Sequence, residues 1–241
     1  MSNIVKNDFL FLSNIQDERS GLYMKKIGIN FKLMLTAQMI SIFGSSLLRI
    51  TLSIYVLDLT GRADLFASML AISIIPGILL LPLGGALSDH YNRKRLMVGI
   101  SLISFIAISI FCFILQEYTM NIILIGTIVT ILSSLNALYQ PLIQSSVPFM
   151  VDHEHYAKAN GYVGATGALA GIIGPVVAGF SYASLGVDLL IVISGLLFLI
   201  AAIFELFIQI AHQEKDNNRV LVKLASDMKN GLAYMVKSNP H

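Results

Sequence analysis

Gly84-Gly85-Ala86-Leu87-Ser88-Asp89-His90-Tyr91-Asn92-Arg93-Lys94-Arg95 joins two apolar runs, Leu65–Leu87 and Leu96–Leu115. Each run has about the 20 residues that a helix needs to cross a ~30 Å hydrocarbon core. The link between them is only a few residues long, and it holds one acid and three adjacent bases. The chain therefore crosses, turns sharply and crosses back.

Outward from this hairpin the pattern repeats. Leu33–Leu57, Asn121–Val147, Tyr162–Tyr182 and Val187–Ile208 are further apolar runs of spanning length, which makes six in all. Pro141 predicts a kink or an early end in the fourth. The composition agrees: of 241 residues, 56% are hydrophobic and 12% charged, against roughly 25% charged in soluble domains. Mean hydropathy is +0.76. A soluble fold this apolar has too few polar side chains to cover its surface, which excludes a cytosolic enzyme, a disordered chain and a nucleic-acid binder. One cysteine, Cys112, permits neither an internal disulfide nor a cysteine-based zinc site. In its apolar run it reads as a small buried hydrophobe.

The basic residues orient the spans. If six helices alternate, fourteen Lys and Arg fall on one side: five in the N-terminal segment, Arg93 to Arg95, Lys158, and five in the tail. The other side has Arg62 alone, and Arg49 lies within the first span. Both termini are expected in the cytoplasm of a multi-pass cell-membrane protein. Residues 1–30 lack the apolar core of a signal peptide, and Met24-Lys25-Lys26 reads as a natural start. Residues 31–210 form the bundle. Over 211–241, Val220, Leu221, Leu224, Met228, Leu232 and Met235 predict an amphipathic helix. No seventh apolar span follows it.

Within the opening string, Gly85, Asp89, Arg93 and Lys94 match the signature loop of the major facilitator superfamily, which this segment resembles. His90 replaces a basic residue and Asn92 a glycine; asparagine is the next best residue for a positive φ angle. The physics of such a loop is a latch. A carboxylate sits against a helix N-terminus, bases pair across to the neighbouring bundle, and both contacts exist in only one of two states. The bland alternative is an anchor that merely fixes topology.

A second string lies in the fifth span. Gly164, Gly167, Gly171, Gly174 and Ala178 are spaced three and four apart, a stripe of small residues that lets another helix approach. Within it Gly171, Gly174, Pro175 and Gly179 resemble the fifth-helix motif of facilitator antiporters, with Ala170 and Ala178 in glycine positions. Pro141, the run Asp152–Lys158 with Ala159-Asn160-Gly161, and Asp227–Tyr234 are similar to segments of the drug and siderophore exporter branch, including the macrolide and enterobactin exporters. The resemblance implies an all-α membrane fold of six helices, two three-helix inverted repeats, forming one half of a twelve-helix transporter. It implies a small-molecule solute, a lipid bilayer and a missing C-terminal six-helix half as partners. It implies efflux by alternating access, as in antiporters of multidrug or macrolide resistance, without enzymatic chemistry, cofactor, metal or nucleic acid. A non-transporting or regulatory membrane remnant is the rival reading.

Gln38, Ser41, Ser45, Arg49 and Ser53 form a polar stripe on the first helix. Thr127, Thr130, Ser133, Ser134 and Gln144 form one on the fourth. In the superfamily these two helices line the central path, so Gln38, Ser45, Arg49, Thr130 and Ser134 are candidates for it. A charge in a bilayer costs about 2.5 kcal/mol or more, so Arg49 is expected to face a wet cavity rather than lipid; the alternative is snorkelling to the outer headgroups. Glu205 is the one acid well inside an apolar run, near the cytoplasmic end of the sixth helix. It reads as a snorkelling or surface-paired carboxylate, with proton coupling as the alternative. The five histidines all lie outside the spans, and no Gly-Lys-Ser or Gly-Lys-Thr phosphate loop is present.

Overall fold

The computed structural model describes residues 2–117 and 121–210, with side chains described from residue 28 onward except at 81–82, 89–90 and 115–117. In lipid a backbone must satisfy its own polar groups, and a helix does so within one segment. Among the described residues six α-helices result: α1 (Ser2–Thr60), α2 (Ala63–Ile72), α3 (Ile75–His90), α4 (Arg93–Glu117), α5 (Ile122–Ser146) and α6 (Tyr156–Phe207).

Helices and crossings do not correspond one to one. The expected second crossing is divided between α2 and α3. At the break the Ser73 N–H reaches Met69 O, the Ile74 N–H reaches Ala71 O, and the Ser73 hydroxyl donates to Leu70 O. Pro76 enters in the first turn of α3, where its missing N–H costs no helical bond. The expected fifth and sixth crossings are instead continuous in α6, whose 52 residues break only at Gly186. Gly186 has φ 74° and ψ 169°, a conformation open essentially to glycine alone.

The chain reverses there, as its register with α1 shows. Gln38 meets Val163, Ile42 meets Gly167 and Ser46 meets Gly174, so residues 156–185 run parallel to α1. Gly44 meets Ser194 and Leu197 while Asn30 bonds Gln209, so residues 187–207 run antiparallel to it. Five helical stretches among the described residues are long and apolar enough to cross a membrane, and the last, His153–Phe207, has 55 residues, room for two crossings. The described residues therefore have room for the six expected crossings.

The ends of the other helices are set locally. Gly61, at φ 63°, ends α1 with its N–H on Leu57 O. The Asn121 side chain accepts from the Ile123 N–H and starts α5. Pro141 does not end the fourth crossing, because α5 runs through it to Ser146. Helix α1 is continuous from Ser2, with its apolar span over Gly28–Thr60. The amphipathic helix expected over 211–241 lies outside the described residues.

The two larger apolar clusters among the described residues stack along the bundle. One joins Leu48, Leu52 and Val56 of α1 to Ile108, Phe111, Ile125, Ile128 and Phe198. The other joins Phe31 and Met34 to Met97, Tyr139, Leu142, Ile143, Val163 and Ile208. The outer surface is equally apolar, with Ile78, Phe113, Ile123 and Phe180 all exposed. Acyl chains are as apolar as leucine, so these residues lose nothing by facing lipid.

Candidate functional site

The seam between α1 and residues 156–185 closes tightly at one glycine. A Cβ built on Gly174 would lie 2.6 Å from Ser46 Cβ, 3.2 Å from Leu47 N and 3.3 Å from Phe43 O. Ala170 and Ala178 flank it, fully buried, with Pro175 beside it inside the helix. The expected glycine stripe is narrower than its spacing suggested. Gly167 lies 3.6 Å or more from Ile42 and Gln38 by the same measure, whereas Gly164, Gly171 and Gly179 meet nothing within 4 Å. Spacings of three and four wander around a helix, and only the Ala170–Gly174–Ala178 edge meets α1 squarely.

The opening string runs from the end of α3 into α4. Asp89 is the penultimate residue of α3, with its side chain outside the described set. Gly84, rather than Gly85, is the sterically required glycine. A Cβ on Gly84 would lie 2.8 Å from Pro141 Cγ and 3.1 Å from Leu138 O, whereas one on Gly85 meets nothing within 4 Å. The role found for Asn92 is capping: its Oδ1 accepts from the Arg95 N–H, and its carbonyl accepts from the Leu96 N–H. Arg93 lies with its guanidinium 4.3 Å from the centre of the Phe149 ring, so the loop is tied to the turn that follows α5. Lys94 is half-buried beside it. Cations in the first turn of a helix oppose its dipole, so the stability of α4 alone does not call for Arg93, Lys94 and Arg95.

The two polar stripes separate into buried and open parts. Gln38 is buried and donates from Nε2 to Val163 O at 3.3 Å, which takes it into the α1 seam rather than toward a path. Ser41 and Ser53 are also buried. Ser45 is half-buried and accepts from Asn136 Nδ2 at 3.1 Å. Asn136, absent from the sequence reading, is thus the polar bridge between α1 and α5. The two helices run antiparallel, so this bridge sets their register. Arg49, one turn beyond Ser45 on the same face, stands at about the depth of residue 132, between Thr130 and Ser134. Arg49 is partly exposed and its Nε is buried without a hydrogen-bond partner. The hydroxyls of Thr127, Thr130 and Ser134 each donate to the carbonyl four residues back, at 2.7 to 2.8 Å. Their lone pairs remain available on an open face.

Glu205 departs from its expected surface position. It is 0% exposed. Its Oε1 accepts from the Tyr139 hydroxyl at 2.8 Å and from the Ser101 hydroxyl at 3.0 Å. Three crossings meet there, and snorkelling is excluded because the side chain points into the bundle. No periodicity in one helix reports on donors in two others, so only the lone acid hinted at this node. Among the described residues no three His, Cys, Asp or Glu come together in a way that would hold a metal ion.

Residues 34–239 match the Major Facilitator Superfamily. The chain belongs to that superfamily. It is 24% identical to macrolide efflux protein A of Streptococcus pyogenes over 182 residues, 76% of the chain and 45% of that protein. It is 27% identical to macrolide efflux protein A of Enterococcus faecalis over 143 residues, 59% of the chain and 44% of that protein. The fold is similar to that of the POT family transporter PepTSo in its crystal structure. The TM-score is 0.59 at 15% identity, over 86% of the chain and 46% of PepTSo. The chain thus spans about half the length of the facilitators it matches.

Proposed function

We propose that the chain supplies the N-terminal six-helix half of a facilitator that exports a small organic solute across the cell membrane by alternating access. The observation that carries this reading is the open polar face shared by α1 and α5. Ser45, Asn136, Arg49, Thr130 and Ser134 fall within a few turns of one another on these two helices. Lipid does not reward such a face, but a solute path does. Arg49 offers a cation there for an anionic or strongly dipolar part of the solute, and the hydroxyls orient it.

In this proposal Gly85, Asp89, Arg93 and Lys94 form the latch that biases the two-state equilibrium, and the seam at Gly174-Pro175 transmits the movement between α1 and α6. The C-terminal half of the transporter covers the α1–α5 face. Both termini lie in the cytoplasm, supported by the asymmetry of basic residues. Alternating access breaks and forms no covalent bond, so no enzymatic step and no cofactor enter the proposal.

Macrolide efflux supplies the test, since both curated relatives carry that name. Cells expressing the chain together with a facilitator C-terminal half are expected to hold less labelled macrolide at steady state than cells expressing either half alone. Equal accumulation across a panel of macrolides and other amphipathic drugs overturns the efflux reading.

A further inference from the structure

We infer that Glu205 is a buried proton-binding site, a neutral carboxylic acid held between the third, fourth and sixth crossings. Its two oxygens are inequivalent. Oε1 accepts two hydrogen bonds, from Tyr139 and Ser101, which is the full capacity of a carbonyl oxygen. Oε2 is buried with no hydrogen-bond partner. A carboxylate shares its charge between both oxygens, and leaving one bare in an apolar interior carries a heavy desolvation cost. A carboxylic acid distributes its needs differently. Its carbonyl oxygen takes both donors, and the bare position falls to an uncharged hydroxyl rather than to a share of a negative charge, so the observed pattern costs less for the acid.

The hydrogen-bond partners of Glu205 among the described residues carry no charge. From the third crossing Ser101 faces Glu205, and from the fourth Tyr139 does; both are neutral donors. The apolar residues of the same end of the bundle, Met97, Ile143 and Ile208 among them, exclude water. The described ion pair, Arg62–Asp64, is on another connection. The site is thus closed in this arrangement, and its proton cannot exchange until α4, α5 and residues 187–207 part. On release the Oε2–H bond breaks, the electron pair stays on Oε2, and the proton passes to the water that the opening admits. Protonation and helix packing are then linked: the closed packing favours the acid, and the opened one favours the carboxylate. This holds whichever solute the protein carries.

Infrared spectroscopy of the full chain in lipid tests the assignment. At neutral pH the difference between wild type and Glu205→Gln is expected to contain the carbonyl stretch of a protonated carboxyl, slow to shift on transfer to heavy water. A difference made only of carboxylate stretches overturns the proposal. Tyr139→Phe and Ser101→Ala keep the test decisive if Glu205→Gln does not insert. Each removes one donor from Oε1 and is expected to move that band to higher frequency, and a band unmoved in both also overturns it.

Discussion

Gly174 and Ser46 face each other across the seam of α1 and α6 with no room for a methyl group: a Cβ on Gly174 would stand 2.6 Å from the Cβ of Ser46. Ser46 Cβ is fixed to its own helix, and the next neighbours are backbone atoms, so no flexible tip is free to swing aside. Gly174→Ala is expected to destabilise the bundle by about 1–3 kcal/mol, the usual cost of overpacking. Thermal unfolding in detergent reads this directly. Gly171→Ala and Gly179→Ala, with open space at both positions, are expected to leave the midpoint nearly unchanged. Ser46→Gly should recover part of the Gly174→Ala loss. Equal effects at all three glycines would show that the seam is not specific.

The opening string contains two adjacent glycines with different duties. Gly84→Ala drives a methyl into the Pro141 ring and the Leu138 carbonyl, so membrane abundance and melting temperature are expected to fall. Gly85→Ala has space and is expected to be inserted normally. Asp89→Asn should behave differently from both, impairing transport by the assembled transporter while abundance stays near wild type. Unimpaired efflux in that variant reduces the string to a topological anchor.

Arg49 stands one helical turn from the Ser45–Asn136 bridge. Arg49→Lys keeps the charge but loses the planar fork that pairs two oxygens at once. Arg49→Leu removes the charge and suits lipid. For a path-lining arginine, Leu is expected to abolish transport and Lys to weaken it, with rates normalised to inserted protein. Wild-type rates in both variants sink the path assignment. Loss in Leu alone leaves a charge requirement without two-point recognition.

Topology gives a prediction independent of transport. Cysteines placed at Asp64 and Asp188, both exposed, are expected to label from outside intact cells. Those at Asn92 and Lys215 are expected to label only after permeabilisation. External labelling at Asn92 would invert the proposed orientation.

Hydrophobicity acts residue by residue, so it was legible along the chain. Runs of about 20 apolar residues, the short charged string at Asp89–Arg95 and the glycines of the fifth crossing settle a six-span facilitator bundle without any knowledge of distances. Helix breaks were less legible, because they depend on φ and ψ at single residues. The Ser73–Ile74 turn divides one crossing, and Gly186 alone separates two. Relations between helices were not legible at all. That Gly84 and not Gly85 meets Pro141, that Asn136 bridges to Ser45, and that Gln38 turns into the seam all follow from how helices rotate against one another in lipid. Glu205 shows the reason most plainly. Its sequence neighbourhood is an apolar helix near a membrane surface, which suits a snorkelling acid. Its partners, Ser101 and Tyr139, come from crossings 104 and 66 residues away, and only the packing of three helices brings their hydroxyls to one oxygen.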